Sequence, residues 1–251
     1  MTPVSTRDHA SRLSGHDYTP PPLECKPVFD WFFGLAVLLV IGIYIRAIYF
    51  TPIEALQGPV QKIYYLHVPA AIAAYVAVSI TALASIVFLW LRDDRLDRLA
   101  GASAEVGLMF IFIVLTTGPM WAKQQWGTYW VWWDMRLTLT LFLAFVIAAY
   151  LVLRDAIEDE SMRTRYSAVL AVLGALLIPF IHLSVYLFQA RLHPEPVALK
   201  PGRPSMSPEM MWTFFPSMIV FAVLCVAFIR ARYRLSVMRE IAAEAGGYDE
   251  A

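Results

Sequence analysis

Six apolar stretches, each long enough to reach across a lipid bilayer, leave this chain few architectures. They lie near residues 28–50, 63–91, 101–121, 137–153, 166–188 and 211–231. A helix needs about 20 mostly apolar residues to cross the hydrocarbon, so the pattern reads as an all-α, polytopic membrane protein with six transmembrane helices. The fourth stretch is short, and the second is long enough for its outer end to be interfacial. Composition agrees: 59% of the 251 residues are hydrophobic and 16% charged, against about 45–50% and about 25% in soluble domains.

Lysines and arginines in the short loops set the orientation. One side collects Arg7, Arg12, Lys26, the 92/95/98 and 154/163/165 arginine groups, and Arg230, Arg232, Arg234 and Arg239. These are 13 basic residues, against 7 on the other side (Arg46, Lys62, Lys123, Arg136, Arg191, Lys200 and Arg203). The first side is therefore read as cytoplasmic, with both termini inside. Residues 1–27 read as a flexible cytoplasmic tail with no apolar signal-peptide core, 28–235 as the membrane domain, and 236–251 as a second cytoplasmic tail. Three outer connections follow, near 51–62, at a Trp-rich segment spanning 121–136, and near 189–210.

The Trp-rich segment is the most unusual stretch. Between Trp126 and Arg136 stand Trp126, Gly127, Tyr129, Trp130, Trp132, Trp133, Asp134 and Arg136, and Trp121 precedes them. Tryptophan and tyrosine gather at membrane–water interfaces, so an aromatic belt is one reading. The other is a flat shelf for a large planar apolar ligand, because aromatic faces stack on π-surfaces. Asp134 and Arg136 are either a surface ion pair or ligand contacts, with Arg136 suited to a carboxylate.

Of five histidines, His9 and His16 lie in the polar tail and His193 in the Pro-rich outer loop. His67 and His182 remain, each in apolar surroundings at the same outer depth as the tryptophans. Ionisable residues at such positions are functional by default; the plainer reading of each is a structural histidine bonded to a backbone carbonyl. Two neutral imidazoles flanking an aromatic-lined site match bis-histidine ligation of haem iron. Pro69 and Pro179 stand beside them and either aim the rings or are ordinary kinks.

Other chemistries find less support. Zinc catalysis usually needs three protein ligands, and no clustered histidine motif is present. Cys25 and Cys225 form no C-x-x-C, which argues against thiol redox chemistry and covalent haem attachment. Cys225 reads as a small buried residue. No phosphate-binding loop occurs, and nothing in the charge pattern indicates nucleic acid.

The Trp126–Thr138 segment resembles the tryptophan-rich WWD motif of haem-handling proteins in cytochrome c maturation. Thr117-Gly118-Pro119-Met120-Trp121, His67-Val68-Pro69-Ala70-Ala71 and Ile178-Pro179-Phe180-Ile181-His182 are similar to the haem exporter protein C (CcmC) family. The resemblance departs at one point: an extra tryptophan precedes Asp134, so either Trp132 or Trp133 fills the family position. What the resemblance implies is haem b held transiently as cargo at the outer face, with His67 and His182 as axial ligands and the Trp motif around the porphyrin. It also implies presentation to the periplasmic haem chaperone CcmE, and the small membrane protein CcmD and the ABC-type CcmA/CcmB complex as partners in the bacterial inner membrane. No enzymatic activity is expected. The competing readings are a membrane subunit with permanent haem b, a small-molecule transporter, and a haem lyase of the same superfamily.

Overall fold

The computed structural model describes residues 31–187 and 206–246. The tail histidines, His193, Cys25 and most of the third connection lie outside these residues. Hydrocarbon offers backbone amides no partners, so a single segment can cross it only as a helix. Six helices follow: α1 (Trp31–Tyr49), α2 (Tyr64–Leu91), α3 (Asp94–Trp126), α4 (Met135–Ala156), α5 (Glu160–Leu187) and α6 (Pro208–Gly246). All six are long and apolar enough to cross a membrane. No β-strand forms among the described residues.

The expected spans coincide with these helices, but the last four helices run past them. The third continues through Trp121 to Trp126 rather than ending near 121. The fourth is 22 residues long, so it is not short. The sixth continues through the arginine-rich stretch to Gly246, so the first part of the expected C-terminal tail is helical. Hydropathy marks where a helix leaves the hydrocarbon, and backbone bonding with capping decides where it ends.

The connections are short and chemically specified. Arg92 ends α2 in the left-handed region (φ 53°) and Asp93 caps α3, its carboxylate accepting the Arg95 N–H at 2.9 Å. Asp159 caps α5 by accepting the Met162 N–H at 2.7 Å.

Helices α2, α3, α4 and α5 pack as a ring, with α6 against α2 and α3 and with α1 against α6. Apolar side chains gain little from one another in lipid, so close backbone approach drives this packing. The α2 face is Ala70, Ala73, Ala74 and Ala77, all buried, and Ala100 and Ala104 on α3 are buried too. A Cβ on Gly107 would come within 3.2 Å of Val78 Cγ2, so a larger residue there would have to push that side chain aside by a few tenths of an ångström. Cys225 is buried, its thiol 3.7 Å from the Ala73 carbonyl oxygen, as a small packing residue.

The end of the bundle opposite the Trp segment is tied by charge. Arg154 of α4 grips Asp97 of α3 bidentately at 2.6 and 2.7 Å, and Arg163 of α5 approaches the same carboxylate at 3.9 Å. Arg98 pairs with Glu240 at 2.8 Å, and Arg232 pairs with Glu105, joining α3 to α6. Asp97 and Arg154 side chains are 16% and 17% exposed. Removing one partner of so buried a pair costs about 3 kcal/mol, whereas replacing both with apolar groups is nearly neutral. Asp97→Asn is therefore expected to lower the thermal midpoint of the detergent-solubilised protein, and Asp97→Leu with Arg154→Met to restore most of the loss. An unchanged midpoint in the single variant would contradict this assignment.

Candidate functional site

The site is built at the end of the bundle where α2 begins, α3 ends, α4 begins and α5 ends. Its first element is the connection after α1. Glu54 accepts the N–H groups of Leu56 and Gln57, and Gly58 takes a positive φ of 68° as its N–H bonds the Glu54 carbonyl at 2.9 Å. This tight turn projects Gln57 onto α3. The Gln57 side-chain oxygen accepts the Trp121 indole N–H at 3.0 Å, and its backbone oxygen accepts from the Gln125 amide at 3.3 Å. Thr51 and Thr213 hydroxyls, both buried, lie 2.8 Å apart and tie the connection to α6. A 3₁₀ turn, Pro59–Ile63, then leads into α2.

His67 lies in the first turn of α2 and is half-buried. Its Nδ1 is 2.9 Å from the Thr117 hydroxyl of α3, which donates to the Ile113 carbonyl at 2.7 Å. A Cβ on Gly118 would fall 3.1 Å from His67 Cε1, so the ring lies close against α3 and a larger residue there would displace it by a few tenths of an ångström. An open apolar groove of about 750 Å³ follows α3 from Glu105 to Thr117.

The Trp segment turns the chain from α3 to α4. Gly127 ends α3 in the left-handed region (φ 76°), favoured by glycine. Lys123 donates to the Gly127 carbonyl at 3.0 Å and sits 5.2 Å from the centre of the Tyr129 ring. Trp121 and Trp126 meet edge to face at 5.4 Å, and Trp130 and Trp132 at 5.7 Å. Val131 is buried and pins the turn, while Tyr129, Trp132 and Trp133 are 59%, 69% and 81% exposed. The Trp130 indole nitrogen is buried without a hydrogen-bond partner among the described residues.

Asp134 is 1% exposed and caps α4, its Oδ1 accepting the Leu137 N–H at 3.0 Å. Thr138 donates to the Trp132 carbonyl at 2.8 Å, fixing the turn to the helix it precedes. Arg136 reaches across to α5 and donates to the His182 backbone oxygen at 3.4 Å. His182 is exposed.

The residues singled out from sequence thus fall into two contacting groups at one end: His67 with α3 below Trp121, and Arg136 with the His182 segment. Asp134 also acts as a cap, a role sequence reading did not assign it. Gln57, Thr117 and Gly118 were not named as site residues; Thr117 and Gly118 stood only within the Thr117–Trp121 segment similar to the family, and nothing in the sequence marked Gln57. Among the described residues no three of His, Cys, Asp and Glu converge as a zinc site requires. The chemistry present is imidazole donors, exposed indole faces and a guanidinium, which fits a planar metalloporphyrin carrying carboxylates.

The cap assignment separates two roles for Asp134. Asp134→Ala is expected to cost about 1 kcal/mol of stability, and Asp134→Asn to recover most of it, because the amide oxygen still accepts the Leu137 N–H. Equal losses in thermal stability for both variants would show that the negative charge, not the cap, matters at this position.

Comparison with known proteins gives the family. The family model described as heme exporter protein C matches residues 23–245. Heme exporter protein C of Bradyrhizobium diazoefficiens is 33% identical over 213 residues, covering 84% of this chain and 80% of the relative. That of Haemophilus influenzae is 30% identical, covering 90% and 92%, and that of Escherichia coli K12 is 31% identical, covering 86% and 89%. A match over nearly the whole chain, on a six-helix bundle with this Trp-rich turn, identifies a multi-pass membrane protein that belongs to the heme exporter protein C family of cytochrome c maturation.

Proposed function

We propose that this chain binds haem at its Trp-rich end and presents it to a periplasmic haem chaperone during c-type cytochrome maturation. The observation that carries the proposal is the pairing of an oriented, half-buried His67 with exposed indole faces at the same end of the bundle. His67 and His182 are the axial ligands. Trp132 and Trp133 offer ring faces to the porphyrin, Trp126 and Trp130 support them, and Arg136 stands where a propionate is met. Haem b is cargo, held by two coordination bonds and by stacking on an open shelf, so that it can leave. The chain is a carrier, with no bond of the porphyrin made or broken on it.

The excess of basic residues at the opposite end supports an orientation with that end and both termini in the cytoplasm, and the Trp-rich end in the periplasm. The chain then sits in a bacterial inner membrane. Its partners are the chaperone CcmE, which receives the haem, the small protein CcmD, and the ABC-type CcmA/CcmB complex.

Stacking on an aromatic face is worth about 0.5–1.5 kcal/mol. Trp132→Ala and Trp133→Ala are therefore each expected to reduce haem delivered to purified chaperone by about 2- to 10-fold. Their exposure means the fold should be kept. Unaltered delivery in both variants would leave the segment as an interfacial belt. Orientation is read separately, by replacing Thr128 or Asp94 with cysteine in a Cys25→Ser background. An impermeant maleimide added to spheroplasts is expected to label Thr128→Cys and spare Asp94→Cys; the reverse pattern would invert the proposed topology.

A further inference from the structure

We infer that Gln57 is a positioning residue of the haem site: it holds the indole of Trp121, and through it the Trp121–Trp126 pair, against the chain segment that leads to His67. This rests on the proposed haem-binding role and adds to it a residue from the connection after α1. The direction of both Gln57 bonds to α3 is fixed by chemistry. An indole N–H can only donate, so the Gln57 atom 3.0 Å from Trp121 Nε1 is its side-chain oxygen. A backbone carbonyl can only accept, so the Gln125 amide nitrogen donates to the Gln57 carbonyl at 3.3 Å.

Three features make Gln57 a joint between the two halves of the site. The first is register. Trp121 and Gln125 are one turn apart on α3 and share a face, and Thr117, one turn earlier, continues that face and meets His67. One stripe of α3 thus contacts both Gln57 and His67. The second is a stiff link between those two residues. The Glu54 carboxylate accepts the N–H groups of Leu56 and Gln57, so the Gln57 backbone is held before its side chain reaches α3. Gly58 follows at φ 68° and ψ −157°, a region essentially confined to glycine, and the 3₁₀ turn Pro59–Ile63 runs straight into α2. The third is the aromatic contact. Trp121 meets Trp126 edge to face at 5.4 Å and 85°, so a bond that fixes the first indole plane constrains the second, at the end of α3 where the Trp-rich turn begins. Gln57 and Trp121 are both half-buried, which shields their bond in part from water.

The test uses the full chain in detergent, labelled with ¹⁵N-tryptophan, as wild type, Gln57→Met, Gln57→Glu, Trp121→Phe and the double variant Gln57→Met with Trp121→Phe. Trp121→Phe identifies the Trp121 indole N–H resonance by its disappearance. In the haem-free protein, Gln57→Met, which keeps the length and loses the acceptor, is expected to move that resonance, and Gln57→Glu, whose carboxylate still accepts, to keep it hydrogen-bonded. After hemin loading, Gln57→Met is expected to release haem about 5-fold faster and Gln57→Glu near the wild-type rate. The double variant is expected to release it no faster than Trp121→Phe alone, because Gln57 acts through that indole. A glutamine that only supports the fold would lower the thermal midpoint and leave haem release unchanged, and that result would overturn the inference. Additive effects in the double variant, or an unmoved indole resonance in Gln57→Met, would overturn it as well. Should Gln57→Met fail to fold, Trp121→Phe removes the same bond from its other side, and haem release at the wild-type rate in that variant would overturn the inference. A wild-type chain that takes up no hemin would remove the haem reading itself, while the indole resonance of the haem-free chain still decides whether Gln57 holds Trp121.

Discussion

Everything in this structure depends on the absence of hydrogen-bond partners in hydrocarbon. Backbone groups within the bilayer must be satisfied by their own helix, so irregular backbone is pushed to the helix ends. The segment with the chemistry is such an end. It is bounded by two caps that terminate one helix and start the next: Gly127 with its positive φ and Asp134 with its buried carboxylate. Between them the chain is free of helical periodicity and can place consecutive indoles on one turn.

The two ends of the bundle are built for different tasks. At the arginine-rich end, Asp97 is shared by Arg154 and Arg163, and α6 is tied to α3 through Arg98 and Arg232. These are contacts between long charged side chains that lock helices together. At the Trp-rich end ties run between neutral groups, Gln57 to Trp121 and Gln125, Thr51 to Thr213 and His67 to Thr117, or from one charged group to the backbone, as with Lys123, Asp134 and Arg136. They orient groups while leaving Trp132 and Trp133 open. A seam of small residues along α2 and α3 joins the two ends, holding His67 and Thr117 at one register.

The fold was legible because hydropathy over about 20 residues is a strong signal, and the tryptophan cluster was legible because its composition is improbable for a plain loop. The ends of α3 and α6 were not legible. Trp121–Trp126 mixes lysine and glutamine with aromatics, which ends a hydropathy window and leaves the helix intact. The arginines after Phe228 do the same for α6. Asp134 read as half of an ion pair with Arg136, yet its position just before an apolar helical run is also that of an N-cap. The His67–Thr117 contact joins residues 50 positions apart. No periodicity reports such a pairing, and it emerges only when α2 and α3 are packed.

The central claim is that His67 and His182 jointly hold iron at the Trp-rich end. It is tested most directly by the visible absorption spectrum of the hemin-loaded, detergent-purified protein as wild type, His67→Ala and His182→Ala. Wild type is expected to show a low-spin, six-coordinate spectrum, lost in each variant and restored by added imidazole. A wild-type spectrum kept in either alanine variant would contradict the account, and a protein that takes up no hemin would remove the haem site altogether.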